Sequence, residues 1–314
     1  MEEFESFYPP KPKLVEKERK GHIAVTLLSV LLFILSFSLL VTDNYTFIFI
    51  LVGVLLIHEL GHFLLMKAYG YSNVRMLFVP LMGAFVHGKK EVYSQRQSAL
   101  VLFAGPLPGI LLGLGLLYFG DPNAEWVLEA GLLLLFLNVL NLVPIDPLDG
   151  GQLLKVLFLG KQELFQLIFA LISSLALIAL GWWLQAWLIV GFGFLLGLRV
   201  RSIHKLYLVR RELELEDLKY ESVYADLSDK NFAGIKRVIL ENSPALQTFQ
   251  EQAPEEKFNE IIASQVNGVL MSPTQRDASF LFKAFSLLVW IAAIGVSIYV
   301  VFNLDLSFLA NNEF

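Results

Sequence analysis

The stretch TFIFILVGVLLIHELGHFLLMKAY, residues 46–69, decides the reading of this chain. It is long and apolar enough to cross a bilayer as a helix, yet it carries His58, Glu59 and His62. Ionisable groups inside a span cost about 2.5–3.5 kcal/mol each on insertion scales, so three within five residues need a reason. On a helix, positions i and i+4 share a face, and the His58-Glu59-Leu60-Gly61-His62 order lets both imidazoles reach one metal ion. The glutamate between them then stands beside the attacking water as a general base.

Composition supports a membrane setting around that stretch. Of 314 residues, 56% are hydrophobic and only 17% are charged, and mean hydropathy is +0.61. A soluble domain has about a quarter charged residues, because its surface needs polar cover. The formal charge of -5, without a basic patch or an RNA-binding signature, speaks against nucleic acid. The absence of cysteine leaves His, Asp and Glu as candidate metal ligands. The N-terminal 21 residues mix acids with bases, unlike a transit peptide.

Apolar runs predict seven spans, at 22–42, 46–69, 97–119, 126–143, 163–181, 183–199 and 279–303. The fifth and sixth must form a helical hairpin with Trp182, Trp183 and Trp187 at the interface. With the N-terminus in the cytosol, all 24 Lys and Arg residues fall on the cytosolic side. The other side carries Asp43, Asp121, Glu125, Asp305 and Glu313. The segment 204–278 reads as cytosolic and helical, with Asp229 able to cap a helix through Ile235, Val238 and Ile239. It is either a tether between spans or a domain that gates or recruits substrate.

A catalytic zinc needs a third protein ligand and an open position. Asn141-Leu-Val-Pro144-Ile-Asp146-Pro147-Leu148-Asp149-Gly150-Gly151 closes the fourth span with two prolines and two acids. Proline frees backbone groups, and irregular backbone at membrane depth is tolerated where it lines a cavity. Asp146, Asp149 and His87 are all candidates on residue type alone. His62 sits about 10 Å inside the cytosolic surface at 1.5 Å per residue, so an acid from this segment meets it only if 144–149 is unwound.

These motifs together resemble the site-2 protease family of intramembrane zinc metalloproteases. The resemblance covers about residues 46–155 and rests on the HExGH at 58–62, Phe103-Ala104-Gly105-Pro106, and Asn141, Pro144, Leu148, Asp149 and Gly150. It implies an all-α polytopic membrane protein of about seven transmembrane helices. A three-helix metalloprotease core would carry a short membrane-associated β-hairpin, with a small helical cytosolic segment elsewhere. It implies His58, His62 and Asp149 as ligands of one Zn2+ per chain, and Glu59 as base. It places Asn141 near the scissile peptide and makes Gly83, Ala84 and Phe85 part of a strand that pairs with an extended substrate. The implied reaction is hydrolysis of peptide bonds in or near membrane-spanning segments of substrate proteins. Apart from the resemblance, the Lys and Arg distribution places the N-terminus and 204–278 in the cytosol and the C-terminus on the opposite side, and the acidic N-terminus favours the inner (plasma) membrane of a bacterium over a plastid membrane. The domain reading is a tail and first span (1–45), the core (46–155), a helical hairpin (156–203), the cytosolic segment (204–278) and a last span with its tail (279–314).

Two other classes compete. A catalytically silent scaffold that binds zinc or client helices would account for a tail, from 151 onward, that matches no family pattern. A prenyl-protein protease would use HExxH with a glutamate as third ligand, but Glu125, Glu129 and Glu163 lie away from the expected core. The loop 120–125 is too short for the PDZ domain that many bacterial relatives insert there.

Overall fold

The structure is a computed structural model and describes residues 8–15, 23–80, 83–121, 124–159 and 163–303. The C-terminal tail with Asp305 and Glu313, together with His22, lies outside the described residues. Two compact units appear: residues 20–90, 94–160 and 276–314 form a core unit, and residues 1–19, 91–93 and 161–275 form a second.

The core unit opens with helices α1 (Ile23–Leu40) and α2 (Tyr45–Ala68). Asn44 caps α2 by accepting the Phe47 amide at 3.1 Å, which satisfies one of the donors that a helix start leaves unpaired. A hairpin follows, β1 (Ser72–Val79) and β2 (Gly83–Lys89), with Leu77 opposite Phe85 and Val79 opposite Gly83. Helix α1 packs on β1 through Phe33 and Phe78, and it also hydrogen-bonds to it. The Thr26 hydroxyl donates to the Met76 carbonyl at 2.8 Å, and the Phe78 amide donates to Ser29 Oγ at 3.1 Å.

The third expected span forms two helices, α3 (Gln95–Ala104) and α4 (Pro106–Phe119). The break falls at Gly105, and Pro106 opens α4 where its missing N–H costs nothing. Helix α5 (Glu125–Asn141) has 17 residues and stops two residues before Val143, which precedes Pro144 and is therefore biased away from helical geometry. The chain then runs non-helically through 142–148 before the short helix α6 (Asp149–Leu154). The expected unwinding at 144–149 is met over 144–148, while Asp149 already opens α6. The segment is held by the Trp290 indole, from α12 (Phe280–Asn303), which donates to the Leu142 carbonyl at 2.7 Å.

The second unit contains the hairpin of α7 (Glu163–Trp183) and α8 (Trp187–Leu215), with Trp182 and Trp187 edge to face at 5.7 Å. Helix α8 does not end near 199. With no Gly or Pro between Leu198 and Leu215 to stop it, it continues as one helix of 29 residues. Helices α9 (Asp229–Glu241), α10 (Pro244–Gln252) and α11 (Glu255–Val269) complete a small helical domain. Ile235, Val238, Ile262, Ala263 and Val266 are fully buried there, around Leu213 of α8. Ser228, not Asp229, caps α9: its side chain accepts the Asn231 amide.

The chain is mostly helical. Among the described residues, six helical stretches are long and apolar enough to cross a membrane: 23–40, 45–68, 95–119, 163–183, 187–215 and 280–303. The protein is therefore a multi-pass membrane protein.

Candidate metal centre

Helix α2 buries His58, Glu59 and His62 at 5%, 5% and 7% exposure, a cost that demands compensation from the surroundings. Asp149, the first residue of α6, supplies part of it. Its Oδ2 lies 3.1 Å from His58 Nε2 and 3.2 Å from His62 Nε2, and the two Nε2 atoms are 3.1 Å apart. Three ligand atoms bound tetrahedrally at 2.0–2.1 Å stand about 3.3 Å from one another, so the spacing suits a single zinc ion.

The outer nitrogens decide what these atoms can do. His58 Nδ1 faces Asn138 Oδ1 at 2.7 Å, and His62 Nδ1 faces the Val101 carbonyl at 2.8 Å. Both partner atoms are acceptors, so each Nδ1 donates outward and each Nε2 is left facing Asp149. Two imidazole nitrogens and a carboxylate oxygen converge on one point. Two imidazoles and one carboxylate are a donor set that zinc accepts, with the Nε2 protons released when the ion binds, and the residues fit a zinc ion on that ground. Partners of this outer kind fix ring orientation and tautomer at metal sites.

Close packing makes the geometry possible. A Cβ at Gly61 would stand 1.8 Å from the Ala104 carbonyl oxygen, and one at Gly105 would stand 2.3 Å from His62 Nε2. Glycine at both places lets α2 touch the α3–α4 break, which brings Val101 to His62. The Phe103-Ala104-Gly105-Pro106 motif thus clears space for the histidine instead of contributing a ligand.

The alternatives for the third ligand separate cleanly. Asp146 is 3% exposed and accepts from Lys155 Nζ at 2.5 Å and Gln152 Nε2 at 2.8 Å, so its charge is already matched. His87 lies on β2, exposed, opposite Arg75. Among the described residues, one other acidic group could gather around a metal, Glu212, Glu216 and Glu241, but Arg237 pairs with two of its members. No glutamate of α5 or α7 joins the His58–His62–Asp149 group.

The hairpin edge meets the site at Glu59, whose carboxylate is within reach of the Val86 backbone amide. In an antiparallel ladder, pairs alternate between those that exchange bonds and those whose N–H and C=O turn outward. Met76 and Phe78 turn theirs toward α1, so their partners Val86 and Ala84 turn theirs to the opposite edge. Gly83 and Phe85 direct theirs to β1. Asn141 donates to the Leu137 carbonyl of its own helix.

Asn138 is the functional residue that the sequence reading missed. It is fully buried on α5, and its interhelical hydrogen bond goes to His58 Nδ1. A polar side chain one turn before the motif asparagine, in an otherwise apolar span, was the available signal.

Residues 46–122 match peptidase family M50. Over 121 residues it is 33% identical to a zinc metalloprotease of Methanocaldococcus jannaschii, covering 37% of this chain and 34% of that protein. Over 136 residues it is 32% identical to stage IV sporulation protein FB of Bacillus subtilis, covering 40% of this chain and 45% of that protein. The chain thus spans between a third and a half of the length of these curated relatives. A solved site-2 protease from Methanocaldococcus jannaschii aligns with 61% of this chain and 94% of its own, at 22% identity and a TM-score of 0.43. The M50 match takes in α2, the hairpin, α3 and α4, while Asn138 and Asp149 lie beyond it.

Proposed function

We propose that this protein is an intramembrane zinc metalloprotease that hydrolyses peptide bonds in or near transmembrane segments of other proteins. The observation that carries this reading is the convergence of three ligand atoms, from His58, His62 and Asp149, beside the buried side chain of Glu59. When bound, zinc supplies Lewis acidity that polarises the scissile carbonyl and acidifies water.

The chain's own residues do the rest. Glu59 takes a proton from the attacking water and returns it to the leaving amine, as one general base and acid. Asn138 and Val101 hold the two imidazoles in place. The outer edge of β2 offers the backbone groups of Ala84 and Val86 to an extended substrate, with Gly83 and Phe85 as flanking positions of the same strand. Such pairing suits this substrate class, because a helix must unwind before its carbonyls are open to attack. Asn141, one turn beyond Asn138 and at the end of α5, is assigned to the substrate backbone. The distribution of basic residues supports a bacterial inner membrane orientation with the N-terminus and 204–278 in the cytosol.

Glu59→Gln tests the reading. Reconstituted with a transmembrane substrate, the variant is expected to keep its zinc and to cleave about 10²- to 10⁴-fold more slowly than wild type. Cleavage at the wild-type rate would remove Glu59 from the mechanism.

A further inference from the structure

Lys11 stands between Pro10 and Pro12 in a stretch, residues 9–15, without helix or strand. Its ammonium donates to three carbonyls at once: Tyr224 at 2.8 Å, Ala225 at 2.7 Å and Leu227 at 2.5 Å. An ammonium has three N–H donors, so the match is one to one. The Lys11 amide donates to Asp229 Oδ1 at 2.8 Å, and the Tyr224 hydroxyl donates to the Pro12 carbonyl at 2.8 Å. Burial pushes the Tyr224 phenol up to about 12, so it remains a donor at neutral pH. Two residues on, Leu14 packs against the buried cluster of the helical domain.

These contacts are those of a ligand in a binding site. The three carbonyls belong to the turn at Tyr224–Asp226 and the residue after it, just before α9. We propose that the helical domain carries a peptide-binding site that reads a lysine flanked by prolines, and that Pro9–Leu14 fills it as an exchangeable intramolecular ligand. Prolines on both sides hold the lysine extended before it docks, which lowers the entropy cost of ordering it. Arginine is excluded, because its planar fork of donors does not suit three acceptors converging on one point.

Part of the strap and of the cleft beside it stays open to a competitor. Pro9 and Pro10 are exposed, and the strap forms only one wall of a cleft of about 510 Å³ whose other wall includes Phe232, Lys236 and Leu240. A partner polypeptide with the same Pro-Lys-Pro chemistry has room to contact more of α9 than the strap does.

The test uses the full chain in detergent with Lys11→Ala, which frees the site, and a fluorescent peptide of residues 8–15. The peptide is expected to bind the variant, and to bind wild type about tenfold or more weakly, since the tethered strap competes at millimolar effective concentration. A peptide with alanine for the lysine should also lose about tenfold or more. Backbone amides of 224–231 should exchange faster in Lys11→Ala and recover when peptide is added, whereas Lys13→Ala should behave as wild type. Equal binding to both chains, or unchanged exchange, would overturn the proposal. If Lys11→Ala does not fold, the Lys11 amide of wild type gives the answer: excess peptide should strip its protection, and protection that persists refutes exchange.

Discussion

The metal centre is built from two halves by different means. His58, Glu59 and His62 come from one regular helix, whose 3.6-residue repeat alone sets them side by side. Asp149 arrives after seven non-helical residues, 142–148, placed by tertiary bonds: Trp290 to Leu142, and Lys155 and Gln152 to Asp146. A helix carries its geometry in its own backbone. An irregular segment borrows its geometry from whatever surrounds it, so the same site holds one rigid side and one dependent side.

The largest expected effect sets the halves equal. His62→Ala and Asp149→Ala should each take zinc from about one per chain to background, measured on detergent-purified protein, with helical content retained. Zinc kept by Asp149→Ala would break the two-halved picture and return Asp146 or His87 as third ligand. The next effect separates the halves. Lys155→Met removes one cation from the buried Asp146 charge, and should cost up to about 3–5 kcal/mol in denaturant unfolding. Zinc binding should weaken with it, because the segment that places Asp149 is disturbed. Unchanged stability would mean that 142–148 holds its course without the ion pair.

A smaller effect refines the helical half. Asn138→Ala should weaken zinc about 10- to 100-fold, read by competition with a chelator, while Asn141→Ala leaves zinc affinity as it was. Equal losses would mean that α5 supports the site as a whole instead of through one amide. The smallest effect concerns α3, which brings Val101 to His62. Burial opposes the Asp277 charge, but donation from the Ser94 hydroxyl and the Arg96 amide outweighs it and holds this carboxyl below the usual range. A depressed carboxylate stabilises above the ordinary carboxylate pKa, and that contribution is lost as pH falls through the lower folded value. Asp277 is exposed, so solvent screening leaves a few tenths of a kcal/mol. Asp277→Asn should flatten the acid side of the stability profile by that amount and leave zinc untouched.

The same division explains what could be read in advance. The histidine pair and the helical hairpin at Trp182 follow from local periodicity and local breakers, whereas the β-hairpin around Gly83 was expected from the family resemblance. The unwinding at 144–149 followed from two prolines and from the need for His62 and an acid to meet. The choice of Asp149 over Asp146 did not follow from residue type, since it depends on Lys155 having taken the other acid. The role of Asn138 was hidden because its partner lies 80 residues away. The α9 cap was misplaced by one residue because Ser228 and Asp229 are both good cap residues and stand next to each other. The docking of Lys11 depends on three main-chain carbonyls, which no side-chain pattern announces.

The two hydroxyls of α1 have one more consequence. A bare hairpin has two unpaired margins and can recruit strands on either, which invites copies of the protein to stack edge to edge. Thr26 and Ser29 occupy backbone groups along the β1 margin, so the hairpin is a terminus on that side. Any strand that joins it must come to the margin that runs past Glu59. In a crowded membrane, this confines recruitment to the place where a joined strand lies next to the candidate base, and it limits the growth of aggregates through the other edge.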